Sequence, residues 1–132
     1  MPAWYKIDRA RRLVLSTGSG LLTAAEIMAH QRKLLTDPNF DPNFSQFWDF
    51  TAVTATQVSG DDVRTIAATT VFSAHSPRSV LVKTDEQFGL CRMFATYREG
   101  HGEHGVRVFR DRAEALRWAL PKEQPSSEAG SP

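Results

Sequence analysis

The segment His101-Gly102-Glu103-His104 brings two imidazoles and a carboxylate into one loop, the kind of donor set a zinc ion accepts. A structural zinc needs a full tetrahedral set, and a catalytic one nearly so. No further Cys or His is tied to this loop by a recognisable spacing. These read as loop histidines facing water, and no metal or cofactor site is expected. His30, on a helical pattern, and His75, before a proline bend, have the near-neutral chemistry of an acid–base group. Neither has a partner visible in the sequence. Cys91 is the only cysteine, so no intrachain disulfide can form, which fits a reducing compartment. It shares helical spacing with Phe88 and Phe94 and reads as a small buried hydrophobe rather than a nucleophile.

Carboxylates pair at Asp61-Asp62 and Asp85-Glu86, each where a helix should begin, so local capping explains them. Asp49 is different, because it interrupts the apolar run Trp48-Asp49-Phe50. It belongs near the C-terminal end of a strand, where α/β sheets present ligand groups, or it bonds to the turn beyond. An enzyme built on this chain would use Asp49 and His75 as its acid–base pair, were loops to converge at one end of the sheet. Gly18-Ser19-Gly20 lacks the spacing of a phosphate loop and reads as a turn or bulge that stops a strand.

The elements that must position these residues follow from periodicity and punctuation. Trp4–Ile7 and Arg12–Thr17 read as strands joined by a short hairpin connection. Thr23 caps a helix, with Glu26 in the capping-box position, and the helix runs to about Thr36, where Asp37-Pro38 ends it. Its inward stripe is read as Ala24, Ile27, Gln31, Leu34 and Leu35. The tandem Asp37-Pro38-Asn39-Phe40 and Asp41-Pro42-Asn43-Phe44 gives consecutive turns; Phe40 and Phe44 either anchor the loop to the core or contact a partner. Phe47–Phe50 is a third, central strand, followed by the β-rich run Val53–Val58.

Ser59 and Asp62 form the next capping box, with Val58 stapled to Val63, and Phe72 can plug the far end of that helix. Arg78–Thr84 is strand four. Asp85 caps a third helix to about Arg98, and Gly100–Gly105 is a polar loop. Val106–Phe109 is strand five, and Asp111 with Glu114 opens a last helix packed through Ala115, Leu116, Ala119 and Leu120. Repeated helix–strand alternation after a hairpin gives an α/β fold, a mixed sheet of about five strands with packed helices. The domain spans 1–120; Pro121 stops the helix, and 121–132 read as a disordered tail.

Composition narrows the function classes. Lys+Arg 16 against Asp+Glu 15 leaves no charge excess with which to neutralise a phosphate backbone, so nucleic acid is disfavoured. No run approaches a membrane span, and the N-terminus carries no secretion signal, so a cytoplasmic location is expected.

The residues laid out this way resemble the STAS superfamily, especially its SpoIIAA-like or STAS/SEC14-like branch. The resemblance rests on Tyr5-Lys6-Ile7-Asp8 with Arg12-Leu13-Val14, on the Thr23 helix start, on Phe47 to Val53, and on Val106 to Trp118. It implies a mixed sheet with helices packed against it and a role in binding protein partners. Asp49-Phe50-Thr51 matches the element ending the third strand, which makes Asp49 and Thr51 candidate contacts. Val58-Ser59-Gly60 falls where anti-anti-sigma proteins carry a phosphorylatable serine, although the preceding aspartate and one of the two serines are missing. The related lipid-binding fold implies an alternative, an apolar ligand between sheet and helices. The expectation is a non-enzymatic regulatory or protein-interaction module, by partner binding or self-association. A carrier of a small apolar ligand is second, and a small hydrolase-like enzyme third.

Overall fold

The computed structural model describes residues 2–120, so the tail expected beyond 120 lies outside the described residues. β1 (Ala3–Asp8) and β2 (Leu13–Thr23) pair antiparallel as the expected hairpin. α1 (Ala24–Leu35) returns the chain to β3 (Ser45–Gln57), and α2 (Gly60–Ala67) leads to β4 (Arg78–Leu81). α3 (Asp85–Gly100) leads to β5 (Val106–Phe109), and α4 (Arg112–Ala119) is the last described element. The sheet has five strands in the order β1-β2-β3-β4-β5, with every pairing after the first parallel. The α/β class and the strand count read from the sequence both stand.

Leu13 and Val14 are consecutive in β2 and both fully buried, which requires cover on both faces of the sheet. On one face α4 packs through Ala115 and Ala119 against Leu13, Phe47 and Leu81. The small alanines let the helix approach closely. On the other face lie α1, α2 and α3, with Leu34, Phe44 and Phe72 gathered around Val14. Burying one such large side chain contributes roughly 1.5–3 kcal/mol.

Several boundaries differ from the sequence reading for identifiable reasons. Gly18-Ser19-Gly20 does not stop β2; the register with β3 shifts between Thr17 and Ser19 and again between Gly20 and Leu21, so the strand bulges and continues. Gly20 takes φ +62°, a conformation that favours glycine. β3 is one long strand because this extended partner pairs with it as far as Gln57. Strand four ends at Leu81, and α3 is capped by Thr84 rather than Asp85. In α1 the inward positions are Ile27, His30, Gln31 and Leu34, a single helical stripe, while Leu35 is 47% exposed. Leu35, expected inside, faces water, and His30, expected on the helix without a locatable partner, takes an inward position.

Gly105 joins the α3–β5 loop to the sheet. A methyl group there would collide with the Ser76 carbonyl oxygen, so only glycine lets the two backbones meet. Its own carbonyl accepts from Arg78 N at 2.9 Å and from Trp118 Nε1 at 2.8 Å, tying the start of β4 and the helix α4 to this turn.

Candidate functional site

Between the sheet and α1, α2 and α3 lies a cavity of about 100 Å³. A single water needs roughly 10–15 Å³ in the same measure, so the space suits a compact molecule. Trp48 and Val80 form its floor, and Ile27, Ile66, Leu90 and Phe94 close it from the helices. A largely apolar lining with a few placed polar groups is the usual construction of a small-molecule site.

The polar groups form one buried chain. Strand alternation directs Ser16, Gln46 and Arg78, from β2, β3 and β4, to the cavity-side face. Arg78 Nε donates to Gln46 Oε1 at 3.1 Å, and Gln46 Nε2 donates to Ser16 Oγ at 3.1 Å. Ser16 Oγ lies 2.9 Å from His30 Nε2. At its other end Arg78 Nη1 meets Glu103 Oε2 at 3.0 Å, and Arg98 Nε meets Glu103 Oε1 at 2.7 Å. Arg98 Nη1 also donates to the Ala67 carbonyl at the end of α2. Phe72 and Phe94 lie against the Arg78 guanidinium, with ring centroids 4.5 and 5.5 Å away.

Electrostatics follow from this burial. Desolvation lowers the Arg78 pKa, Glu103 opposes that shift, and the like charge of Arg98 adds to it. Burial, with Arg78 and Lys33 nearby, lowers His30 to about 4, so its ring is neutral near pH 7. The His30 ring stacks at a tilt on Trp48, with centroids 4.5 Å apart. His30 Nδ1, Gln31 Oε1 and Thr56 Oγ1, all on cavity-lining residues, have no hydrogen-bond partner among the described residues. His30 and Gln31 are only 5% and 8% exposed, so water outside the cavity does not satisfy them.

The sequence-derived candidates occupy other places. Asp49 points to the α4 face, where Oδ2 meets Arg112 at 2.9 Å and Oδ1 accepts from Thr51 N and Oγ1 at 2.9 and 2.7 Å. Burial works to raise its pKa, but the Thr51 hydrogen bonds and the Arg112 guanidinium outweigh it and hold the carboxyl below its usual range. Thr51 is engaged in the same contact. His75 is exposed in the segment before Arg78, the first residue of β4, whereas Asp49 pairs with Leu81, the last. The two side chains therefore belong to opposite ends of that strand.

Ser59 is exposed and caps α2; its Oγ accepts from Asp62 N at 3.0 Å, and its own N donates to Asp62 Oδ2 at 2.9 Å. Ser59→Ala is expected to cost about 1 kcal/mol in urea unfolding through loss of this cap. Phe44 is buried and Phe40 packs edge-on against Phe72 with centroids 5.1 Å apart, so both hold the tandem loop to the core. Cys91 lines the cavity, and burial pushes its thiol up to about 12. His101 and His104 are exposed, while Glu103 between them is 1% exposed. No group of three or more His, Cys, Asp or Glu that could hold a metal occurs among the described residues.

No protein-family model matches the chain, and no curated protein matches it. Among solved structures it is similar to an uncharacterized protein of the DUF3478 family with a SpoIIAA-like fold from Shewanella loihica PV-4. The likeness covers 89% of this chain and 93% of that one, at a TM-score of 0.57 and 14% identity. The fold is SpoIIAA-like. At that identity the likeness is one of architecture, the mixed five-stranded sheet with packed helices expected from the resemblance. Among the described residues no helix is long and apolar enough to cross a membrane.

Proposed function

We propose that the protein is a non-enzymatic binding module whose sheet–helix cavity takes a compact, predominantly apolar molecule. The observation that carries this reading is the apolar cavity with unpartnered, deeply buried polar atoms in its wall. Such atoms are costly unless something answers them, and a bound molecule does so while filling apolar space. The Asp49 carboxylate is committed to Thr51 and Arg112, and the Cys91 thiol is held protonated, so neither supports turnover.

Methylenecyclohexane is a suitable probe, being compact and without hydrogen-bonding groups. Titrated into the protein, it is expected to shift amide and indole signals at Trp48, Ile27 and Phe94 in a saturable way. Cys91→Phe, which puts a ring into the cavity, is expected to stay folded and to lose this response at least tenfold, since about 1.4 kcal/mol separates each tenfold step. Equal binding by the filled variant would place the molecule elsewhere and end the cavity reading.

A regulatory, partner-binding role is a second reading, favoured by one surface feature. α4 packs on β3, β4 and β5, so among the described residues no helix covers the β1 end of that face, and Trp4, paired with Thr17, is 45% exposed there. An exposed indole offers both apolar area and an N–H donor, the combination that enriches Trp at protein interfaces. Ligand occupancy and partner contact would then involve opposite faces of one sheet.

A further inference from the structure

We infer that the cavity selects an uncharged ligand carrying an acceptor oxygen, and that the buried chain Arg78–Gln46–Ser16–His30 sets this preference by fixing the His30 tautomer. The inference rests on the reading of the cavity as a ligand site and adds the polarity of its recognition.

Arg78 is the one group in this hydrogen-bonded chain that cannot change role. A guanidinium only donates hydrogen bonds. Arg78 Nε faces Gln46 at 3.1 Å, so the Gln46 atom on that side must be its carbonyl oxygen. The amide nitrogen of Gln46 then faces Ser16 and donates to its Oγ at 3.1 Å. Ser16 has a single hydroxyl hydrogen, and its remaining polar neighbour is His30 Nε2 at 2.9 Å. Donation to Nε2 is the arrangement that gives the hydroxyl hydrogen a partner; accepting from both Gln46 and an Nε2–H would strand that hydrogen as well as Nδ1, so Nε2 is assigned as the unprotonated ring nitrogen. A neutral imidazole carries its proton on the other nitrogen, so Nδ1–H is a hydrogen-bond donor.

That Nδ1 has no partner among the described residues, and it belongs to a residue that lines the cavity and is 5% exposed. Tyr5 does not compete for this chain, because its ring meets His30 edge-on and its hydroxyl donates to Asp37 Oδ2 at 2.7 Å. A ketone, aldehyde or ester oxygen answers an Nδ1–H donor; a hydrocarbon leaves it unanswered. Gln31 Oε1, an unpartnered buried acceptor among the described residues, accommodates a ligand that adds a hydroxyl, but does not favour a carboxylate. The class is thus a compact apolar molecule with a neutral oxygen function.

Gln46→Glu reverses the chain. The introduced carboxylate accepts from Arg78 with one oxygen and from the Ser16 hydroxyl with the other, leaving Ser16 Oγ to accept from His30 Nε2–H. Nδ1 then becomes an acceptor. The new negative charge is tolerable, because Arg78 and Arg98 share only Glu103.

Nitrogen-15 NMR of the ligand-free protein reads the tautomer directly. The wild type is expected as Nδ1–H and Gln46→Glu as Nε2–H. Ser16→Ala, which deletes the donor to Nε2, is expected to lower the Nδ1–H population and stands in if the glutamate variant does not fold. Cyclohexanone and methylenecyclohexane, alike in shape, then test selection. Their affinity ratio is expected to fall about tenfold from wild type to Gln46→Glu, the loss of one buried hydrogen bond. An Nε2–H wild type, or an unchanged ratio, overturns the inference even if both probes bind. Failure of methylenecyclohexane to bind at all overturns the cavity reading itself, whatever the tautomer.

Discussion

Glu103→Gln is expected to lower unfolding stability by about 4 kcal/mol, since removing one member of a buried ion group strands the charges left behind. Glu103 bridges Arg78 and Arg98 at 3.0 and 2.7 Å, with side-chain exposures of 1%, 8% and 3% for the three residues. Glutamine keeps the shape and one acceptor oxygen, but it leaves two guanidiniums with no counter-charge and turns an N–H₂ toward one of them. The cost is felt at several joints, because Arg98 ties α3 to the Ala67 carbonyl and Arg78 ties β4 to Gln46. Urea unfolding measures it. Asp61→Asn is the control: its pairing with Arg64 at 3.5 Å is highly exposed, and its loss is expected to change stability by less than about 0.5 kcal/mol. A Glu103→Gln protein within about 1 kcal/mol of wild type would mean that water reaches the guanidiniums.

Acidification is expected to have the second large effect, through His30. Its folded-state pKa is lowered from 6.5 to about 4, chiefly by burial, with Arg78 and Lys33 adding to the shift. Between those values the unfolded chain binds a proton that the folded protein does not, so stability falls as pH falls. The contribution is fully present above about pH 6.5 and is lost progressively toward pH 4, on the order of 3 kcal/mol in all. The carboxylates with lowered pKa, Asp8, Asp37 and Asp49, start from 3.8 and act below this window. His30→Gln keeps a polar group toward Ser16 and is expected to flatten the slope between pH 6.5 and 4. Stability curves of equal slope for both proteins would show that His30 takes up its proton as readily in the folded protein as in the unfolded chain.

Much of the fold was legible because it rests on local rules. Capping residues at Thr23, Ser59 and Asp111 marked helix starts, and Val106–Phe109 appears with the bounds read from the sequence. Long-range pairing was not legible. Gly18-Ser19-Gly20 satisfies the local signal for a strand end, yet pairing with β3 carries the strand through as a bulge.

The site was less accessible for the same reason. His30 lay on a helix with no sequence neighbour to answer it, and its partner Ser16 comes from a strand before that helix. Glu103 looked like part of a polar loop, since the residues around it are exposed and its arginines lie on other elements. A signal did exist. Ser16, Gln46 and Arg78 each fall on the same alternating face as an apolar neighbour (Val14, Trp48, Val80), which is where a polar residue needs a buried partner. Asp49 drew attention on the same kind of anomaly, and its explanation proved local, in Thr51 and Arg112.

Ligand occupancy of the cavity is tested most directly by a crystal structure of the full chain equilibrated with cyclohexanone. The expected result is the molecule in the space between Trp48 and Phe94, its oxygen within hydrogen-bond distance of His30 Nδ1, with β3 and α3 unmoved. A closed cavity at saturating probe, with His30 Nδ1 and Gln31 Oε1 satisfied by protein groups instead, would contradict the account.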